Sequence, residues 1–318
     1  MQNLAVIRFI RIGSLISMLL LMFFFSNGCF SQTSTLNGVI WDQVNKIPIS
    51  YTSITFIHNN TGITSAEDGK FTIKIDTSTL NDTLAFARVG YQTKRISVKE
   101  FSVKNNPTVF LCEKPVELKA ITISTTKGKA QKHRKTIVLN DVKYKRDKVK
   151  IFWIKGSHGS QQAVLFKFNA KTKSDWFIDK IKITLASGET SNQPMKFNIR
   201  LYAYDSINNQ PGEELYNKPI LVNGVNDEIK EVNLRDYKIQ IPPDYFFVAV
   251  EWLILDENKY KFLKIDKPSN LYLPVLVELK ESKDITGVWD LDYNQNWRKR
   301  PDMNGGKNSL DISVILRN

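Results

Sequence analysis

From Lys70 to Asp76 apolar and polar residues take turns: Phe71, Ile73 and Ile75 against Thr72, Lys74 and Asp76. A period of two buries one face of a β-strand and cannot make the apolar stripe of a helix. Glu67-Asp68-Gly69, just before it, is turn chemistry: glycine accepts a positive φ, and aspartate bonds its own nearby backbone. Asn81-Asp82 punctuates the chain again. Leu84 to Val89 reads LAFARV, apolar on both faces except at Arg88, which predicts a more central strand. Gly90-Tyr91 ends that strand, and Thr93 to Val98 alternates once more.

The same period dominates the second half of the chain. Phe177, Ile181, Ile183 and Leu185 alternate with Lys180, Lys182 and Thr184. Phe197, Ile199, Leu201 and Ala203 alternate with Lys196, Asn198, Arg200 and Tyr202. Phe246, Val248, Val250, Trp252 and Ile254 share one face, and Leu310, Ile312, Val314 and Leu316 share another near the C-terminus. Turn residues separate these runs: Ser187-Gly188, Asn208 to Gly212, Asn223-Gly224 and Pro242-Pro243. Short strands with turn chemistry between them predict an all-β protein, with a β-sandwich or jelly roll from residue 151 to 318. No amphipathic helix of convincing length is written in that half.

The N-terminal pattern has a family likeness. Gly38, Asp42, Pro48, Ile49, Gly62, Thr64, Asp68, Gly69, Phe71, Leu84, Phe86, Gly90 and Tyr91, taken together, resemble the carboxypeptidase-regulatory-like domain. That resemblance implies a small transthyretin-like β-sandwich within residues 35–125, of a kind common in outer-membrane and surface proteins of Bacteroidota. It implies a structural or binding module and carries no peptidase activity with it. IRLYAYDSINNQPGEEL and VNLRDYKIQIPPDYFFVAVEW in turn resemble a jelly-roll-like domain that follows such modules. No activity comes with that likeness, since fold alone does not fix function.

The N-terminus carries Arg8 and Arg11 ahead of an uncharged apolar run from Ile12 to Phe25. The run is short for a membrane span and reads as a signal peptide over residues 1–31, with cleavage after Ser31. The expected location is therefore the periplasm, the outer membrane or the cell surface. Cys29 invites lipidation, but Ser26 stands where lipoprotein signals carry an apolar residue, so lipidation is not favoured. With Cys29 removed, Cys112 is the only cysteine and no internal disulfide can form. Following Val109-Phe110-Leu111, Cys112 reads as a small core residue.

Charge is concentrated in one place. The formal net charge is +13, and +11 without Arg8 and Arg11. Lys127, Lys129, Lys132, Arg134, Lys135, Lys143, Lys145, Arg146, Lys148 and Lys150 are opposed only by Asp141 and Asp147, so one segment holds +8 of it. Residues 126–150 read as a basic linker able to sit on an anionic lipid or polysaccharide surface. Nucleic acid is not an expected partner, because few aromatics interleave with these cations.

Catalytic and metal-binding signatures are missing from the sequence. His58, His133 and His158 are the three histidines, and none has a ligand partner at metal spacing. Gly156-Ser157-His158-Gly159-Ser160 lacks the order of a nucleophile elbow. No metal and no cofactor are expected. Glu251, inside the apolar strand VAVEWLIL, is the one acid in a suggestive setting, where burial would make it hold its proton more tightly. The segment GVWDLDYNQNWRKRPD offers Trp289, Tyr293, Trp297 and Arg298 as a candidate ligand site, with ring faces for a sugar and polar groups for its hydroxyls. The expected function is a non-catalytic exported envelope module that binds a glycan or an envelope protein. The alternatives are a structural or assembly component of the outer membrane held by the basic linker, and a glycoside or ester hydrolase in the C-terminal domain.

Overall fold

The computed structural model describes residues 33–104, 106–114, 135–141, 161–169, 175–186, 192–226, 228–260, 271–279, 282–292, 295–302 and 309–318. These residues form two β-sandwiches, the all-β architecture that the alternation predicts. The signal peptide and Cys29 lie outside them.

The first sandwich is built from β1 (Ser34–Asp42), β2 (Ser53–Phe56), β3 (Thr61–Thr64), β4 (Lys70–Ile75), β5 (Thr83–Ala87), β6 (Lys94–Ser97), a short helix α1 (Val98–Ser102) and β7 (Thr108–Leu111). One sheet runs β4-β1-β7 and the other β3-β2-β5-β6. The β1–β7 pair is parallel and the others are antiparallel. In β4, Phe71, Ile73 and Ile75 are buried and Lys70, Thr72 and Lys74 exposed, as written in the sequence. β5 lies between β2 and β6, which explains why Leu84, Ala85 and Phe86 are all buried. The strand expected to reach Val98 stops at Ser97, and α1 folds Val98 and Phe101 over the core. Phe101 packs 5.6 Å from Phe86 and 6.2 Å from Phe71, centroid to centroid.

Two members of the family pattern have clear structural work. Gly38 stands opposite Phe71 across β1 and β4. A Cβ there would fall 2.4 Å from the Phe71 ring and 2.7 Å from the Pro107 carbonyl, so only glycine lets the ring lie across the strand. The Asp42 carboxylate, 1% exposed, accepts the Val44 and Asn45 amides at 2.7 Å and the Tyr91 hydroxyl at 2.9 Å. It ties the end of β1 to the turn beyond β5. The Asn45 amide leads the bonds that hold this carboxyl below its usual range. Burial, together with the bond to Asp42, pushes the Tyr91 hydroxyl up to about 12. Cys112 is exposed and reaches Gln43, so it is not a core residue. Val109 and Leu111 take the inward positions of the alternation, and the next residue points out.

The second sandwich comprises β8 (Thr136–Leu139), β9 (Gln161–Phe168), β10 (Phe177–Thr184), β11 (Pro194–Asp205), β12 (Gln210–Glu214), β13 (Ile220–Val225), β14 (Ile229–Asn233), β15 (Asp244–Trp252), β16 (Glu278–Leu279), β17 (Ile285–Leu291), β18 (Trp297–Lys299), β19 (Ser309–Leu310) and β20 (Ile312–Arg317). The smaller sheet runs β14-β10-β20-β8. The larger runs β12-β11-β15-β9-β17-β18, with β13 also paired to β11. Ile181, Ile183, Ile312 and Val314 from the first pack against Val164, Phe197, Ile199, Val248 and Trp252 from the second. A bulge between Ile178 and Lys180 changes the phase of β10. Ile178 therefore joins the core, while Phe177, expected on the Ile181 face, is only partly buried.

The sandwich also begins earlier than residue 151. Thr136–Leu139, inside the expected linker, forms β8 and pairs with β20. Its β-branched run was masked by the charges on either side. Lys135 flanks it and exchanges hydrogen bonds with Asn318. Lys127, Lys129, Lys132, Arg134, Lys143, Lys145 and Arg146 lie outside the described residues.

Two outcomes test this account. Gly38→Ala should cost about 1–3 kcal/mol of stability in denaturant unfolding, because the added methyl must displace a buried ring. Val44→Ala, at a side chain 77% exposed, should change stability little. For Asp42 the native carboxyl titrates below its ordinary value of 3.8. Its contribution is therefore complete above the ordinary carboxylate range and is lost as pH falls through the depressed value. Asp42→Asn should be less stable than the parent at neutral pH, and the gap should narrow as pH falls through the ordinary carboxylate range and below it.

Candidate functional site

Alternation sends Asn198, Arg200 and Tyr202 to the face of β11 away from the core. All three are nevertheless buried. The register explains how. Asn198 stands beside Glu251 of β15, Glu251 beside Gln161 of β9, Gln161 beside Leu291 of β17, and Leu291 beside Trp297 of β18. These five residues form one row across the outer face of the larger sheet. The next row on that face is Arg200, Ala249, Ala163, Trp289 and Lys299. Its two alanines leave room for large neighbours, and with Leu165, Tyr202, Phe247 and Trp289 they form a small second core.

Arg200 sits at the junction of the polar and apolar rows. Its Nη1 lies 3.2 Å from both Glu251 oxygens, and its Nη2 donates to Glu214. Asn198 donates to Glu251 at 3.0 Å, and Gln161 does so at 3.5 Å. The Tyr202 hydroxyl donates to Gln161 at 2.6 Å. Burial opposes the Arg200 charge, but Tyr202, Glu251 and Glu214 outweigh it and raise the guanidinium above its ordinary value. Glu251 is thus held by an arginine and two amides rather than standing alone in an apolar strand.

The first sandwich covers this polar row. The Thr64 amide donates to the Ile254 carbonyl at 3.2 Å, and the Ile254 amide donates to Thr64 Oγ1 at 2.8 Å. Lys196 Nζ lies 5.9 Å from the centre of the Tyr51 ring. Gly90, at φ +81°, approaches so closely that a Cβ would stand 2.4 Å from the Asn217 carbonyl. Along this contact lies a cavity of about 630 Å³. Arg88, Tyr91 and Lys114 line it from the first sandwich, and Gln161, Arg200, Glu213, Glu214, Glu251 and Trp297 from the second. Arg88 Nη1 donates to the Tyr51 carbonyl at 3.1 Å. Burial pulls its guanidinium below the ordinary value, with Glu251 opposing the shift.

The predicted aromatic segment divides between roles. Trp297 lines the cavity and meets the Tyr202 ring edge-on at 5.6 Å. Trp289, 2% exposed, donates its indole N–H to the Asn209 carbonyl and packs on Phe247. It is a core residue, so no ligand can stack on it. Arg298 points away from the cavity and pairs with Asp292 at 3.0 Å. Tyr293 lies outside the described residues. Sequence reasoning missed Arg88, Tyr91, Arg200, Gln161 and Glu214 as site residues. The available signals were the lone arginine in LAFARV and the polar set Asn198, Arg200 and Tyr202 opposite an apolar face. Among the described residues no group of three His, Cys, Asp or Glu side chains is arranged to hold a metal ion.

Comparison with known proteins places the first sandwich. Residues 36–123 match the family model of the CarboxypepD_reg-like domain. No match was found among curated proteins. A solved structure of the clostridial cysteine protease Cwp84 after propeptide cleavage has a TM-score of 0.34 and 14% identity, covering 60% of this chain and 42% of that one. The cysteine protease and lectin-like domains of Cwp84 from Clostridium difficile give 0.32 and 13%, covering 60% and 37%. The chain thus spans less than half the length of either.

Replacing Arg200 by leucine should cost about 3–5 kcal/mol, because it strands two carboxylates in a largely buried place. Adding Glu214→Gln and Glu251→Gln to that variant should recover part of the loss. Chemical unfolding of the single and triple variants, followed by tryptophan fluorescence, measures both.

Proposed function

We propose that this protein is a non-catalytic, exported module of the cell envelope that binds a glycan in the cleft between its two sandwiches. The observation that carries the reading is the cavity itself. Its volume of about 630 Å³ lies in the range of small-molecule sites, roughly 300–1,000 Å³. Trp297 and Tyr91 supply ring faces for the apolar side of a sugar. Gln161, Asn217, Gln295, Glu213 and Arg88 supply groups for its hydroxyls. A cleft walled by two domains presents polar groups to a ligand from more than one side, and groups positioned before the ligand arrives lower the cost of binding it.

A non-catalytic role agrees with the carboxylates. Glu214 and Glu251 both lie in the cleft, the pairing a hydrolase would need, but both accept hydrogen bonds from Arg200. A general acid donates its proton to the leaving group, and here both carboxylates are engaged as acceptors by Arg200 instead. Export rests on the basic and apolar N-terminus, and the module assignment on the family match to residues 36–123.

A glycan array probed with the purified protein tests this. Trp297→Ala should weaken binding about tenfold or more, the loss of one well-packed aromatic contact. Arg298→Ala should leave it within about twofold, because Arg298 faces away from the cleft. Hydrolysis of a bound glycan, abolished by Glu251→Gln, would overturn the non-catalytic assignment.

A further inference from the structure

The walls of the cleft carry opposite charge. Arg88 and Lys114 stand on the first sandwich; Glu213, Glu214 and Glu251 stand on the second, with Arg200 among them. The negative side is partly neutralised, because Arg200 is shared by Glu214 and Glu251. The positive side has no such direct ion pair among the described residues. Among the described residues neither Arg88 nor Lys114 has a carboxylate within 4.0 Å, and Arg88 makes one hydrogen bond, to a neutral carbonyl. Much of its N–H fork is left for a ligand, and that fork matches the two oxygens of a carboxylate. Arg88 is half-buried, so an anion there would be less screened by water than on an open surface.

Resting on the reading of the cleft as a glycan site, we infer that the saccharide it takes is a uronic acid, whose carboxylate seats on Arg88 and Lys114. Its hydroxyls donate to the acidic wall, where Glu251 and Glu214 are fixed by Arg200 as acceptors, and to Gln161. Its ring lies against Trp297. The same acidic wall argues against a densely anionic ligand such as a polyphosphate or a heavily sulfated chain, whose charges would crowd three carboxylates. One anionic group per ring satisfies the cationic wall without loading the acidic one. A neutral sugar would leave the half-buried Arg88 without a carboxylate in direct contact among the described residues.

The test compares galacturonic acid and mannuronic acid trisaccharides, each against its methyl ester, by titration calorimetry with the purified protein. The ester keeps the ring and the hydroxyls and removes the charge. The acid form of at least one should bind about tenfold tighter than its ester. Arg88→Gln and, separately, Lys114→Gln should weaken binding of the acid more than binding of the ester, and so reduce that preference. Lys114 is exposed, so its variant keeps the fold if Arg88→Gln disturbs the contact with Tyr51. Equal binding of acid and ester, weakened alike by Trp297→Ala, would overturn the uronate inference while the glycan cleft stands. Absence of binding to these and to every glycan on the array would overturn both.

Discussion

Arg200 is the hinge of the structure's chemistry. A guanidinium 8% exposed, on the supposedly outer face of a sheet, requires both counter-charge and cover. Glu214 and Glu251 provide the first, from the strands on either side of β11. The N-terminal sandwich and the Tyr202–Trp297 pair provide the second. Taking three charged groups out of water is costly, and hydrophobic replacements would often stabilise a fold as well or better. What the triad supplies is a fixed arrangement of acceptors along one wall of a cleft.

The cover follows from the edge of the first sandwich. β3 is an edge strand of its sheet, and such an edge offers unpaired backbone groups to any neighbour. Thr64 uses that edge to reach Ile254, just past the end of β15, whose Glu251 belongs to the polar row. Tyr51 reinforces the contact with its ring beneath Lys196, while its carbonyl accepts from Arg88 within the first sandwich. The family-like residues Gly90 and Tyr91 therefore do more than close a turn. They place the first sandwich against Asn217 and present a hydroxyl-bearing ring to the cleft.

Much of the architecture was legible in the sequence because alternation is a local property. The inward sets of β4, β11, β15 and β20 appear in the two cores as the period predicts, except Ala203 at the end of β11, which is only partly buried. The exceptions have physical causes. Phe177 fell out of phase because a bulge adds a residue that no pattern of apolar spacing announces. β8 was hidden because its four residues sit within a charged run. Cys112 was assigned inward from its apolar neighbours, whereas the strand's own alternation turns it out. The candidate site was only partly legible. Trp297 and Glu251 were singled out for sound reasons of chemistry, but Trp289 beside one of them is core.

By itself the sequence determined most of the strands, which of their faces are apolar, most of the turns between them, and that residues 36–123 carry the pattern of one known module. These follow from interactions between residues a few positions apart, or from composition. Only the tertiary structure decided that Asn198, Arg200 and Tyr202 are buried, that Trp297 faces a cleft and Trp289 does not, and that Arg88 stands across that cleft from Glu251. Those outcomes depend on strand register and on the docking of one sandwich on another. Register and docking are set by groups distant in sequence, 53 residues apart for Asn198 and Glu251 and 190 for Thr64 and Ile254, and a two-residue period, which labels the faces of a strand, says nothing about what will lie against them.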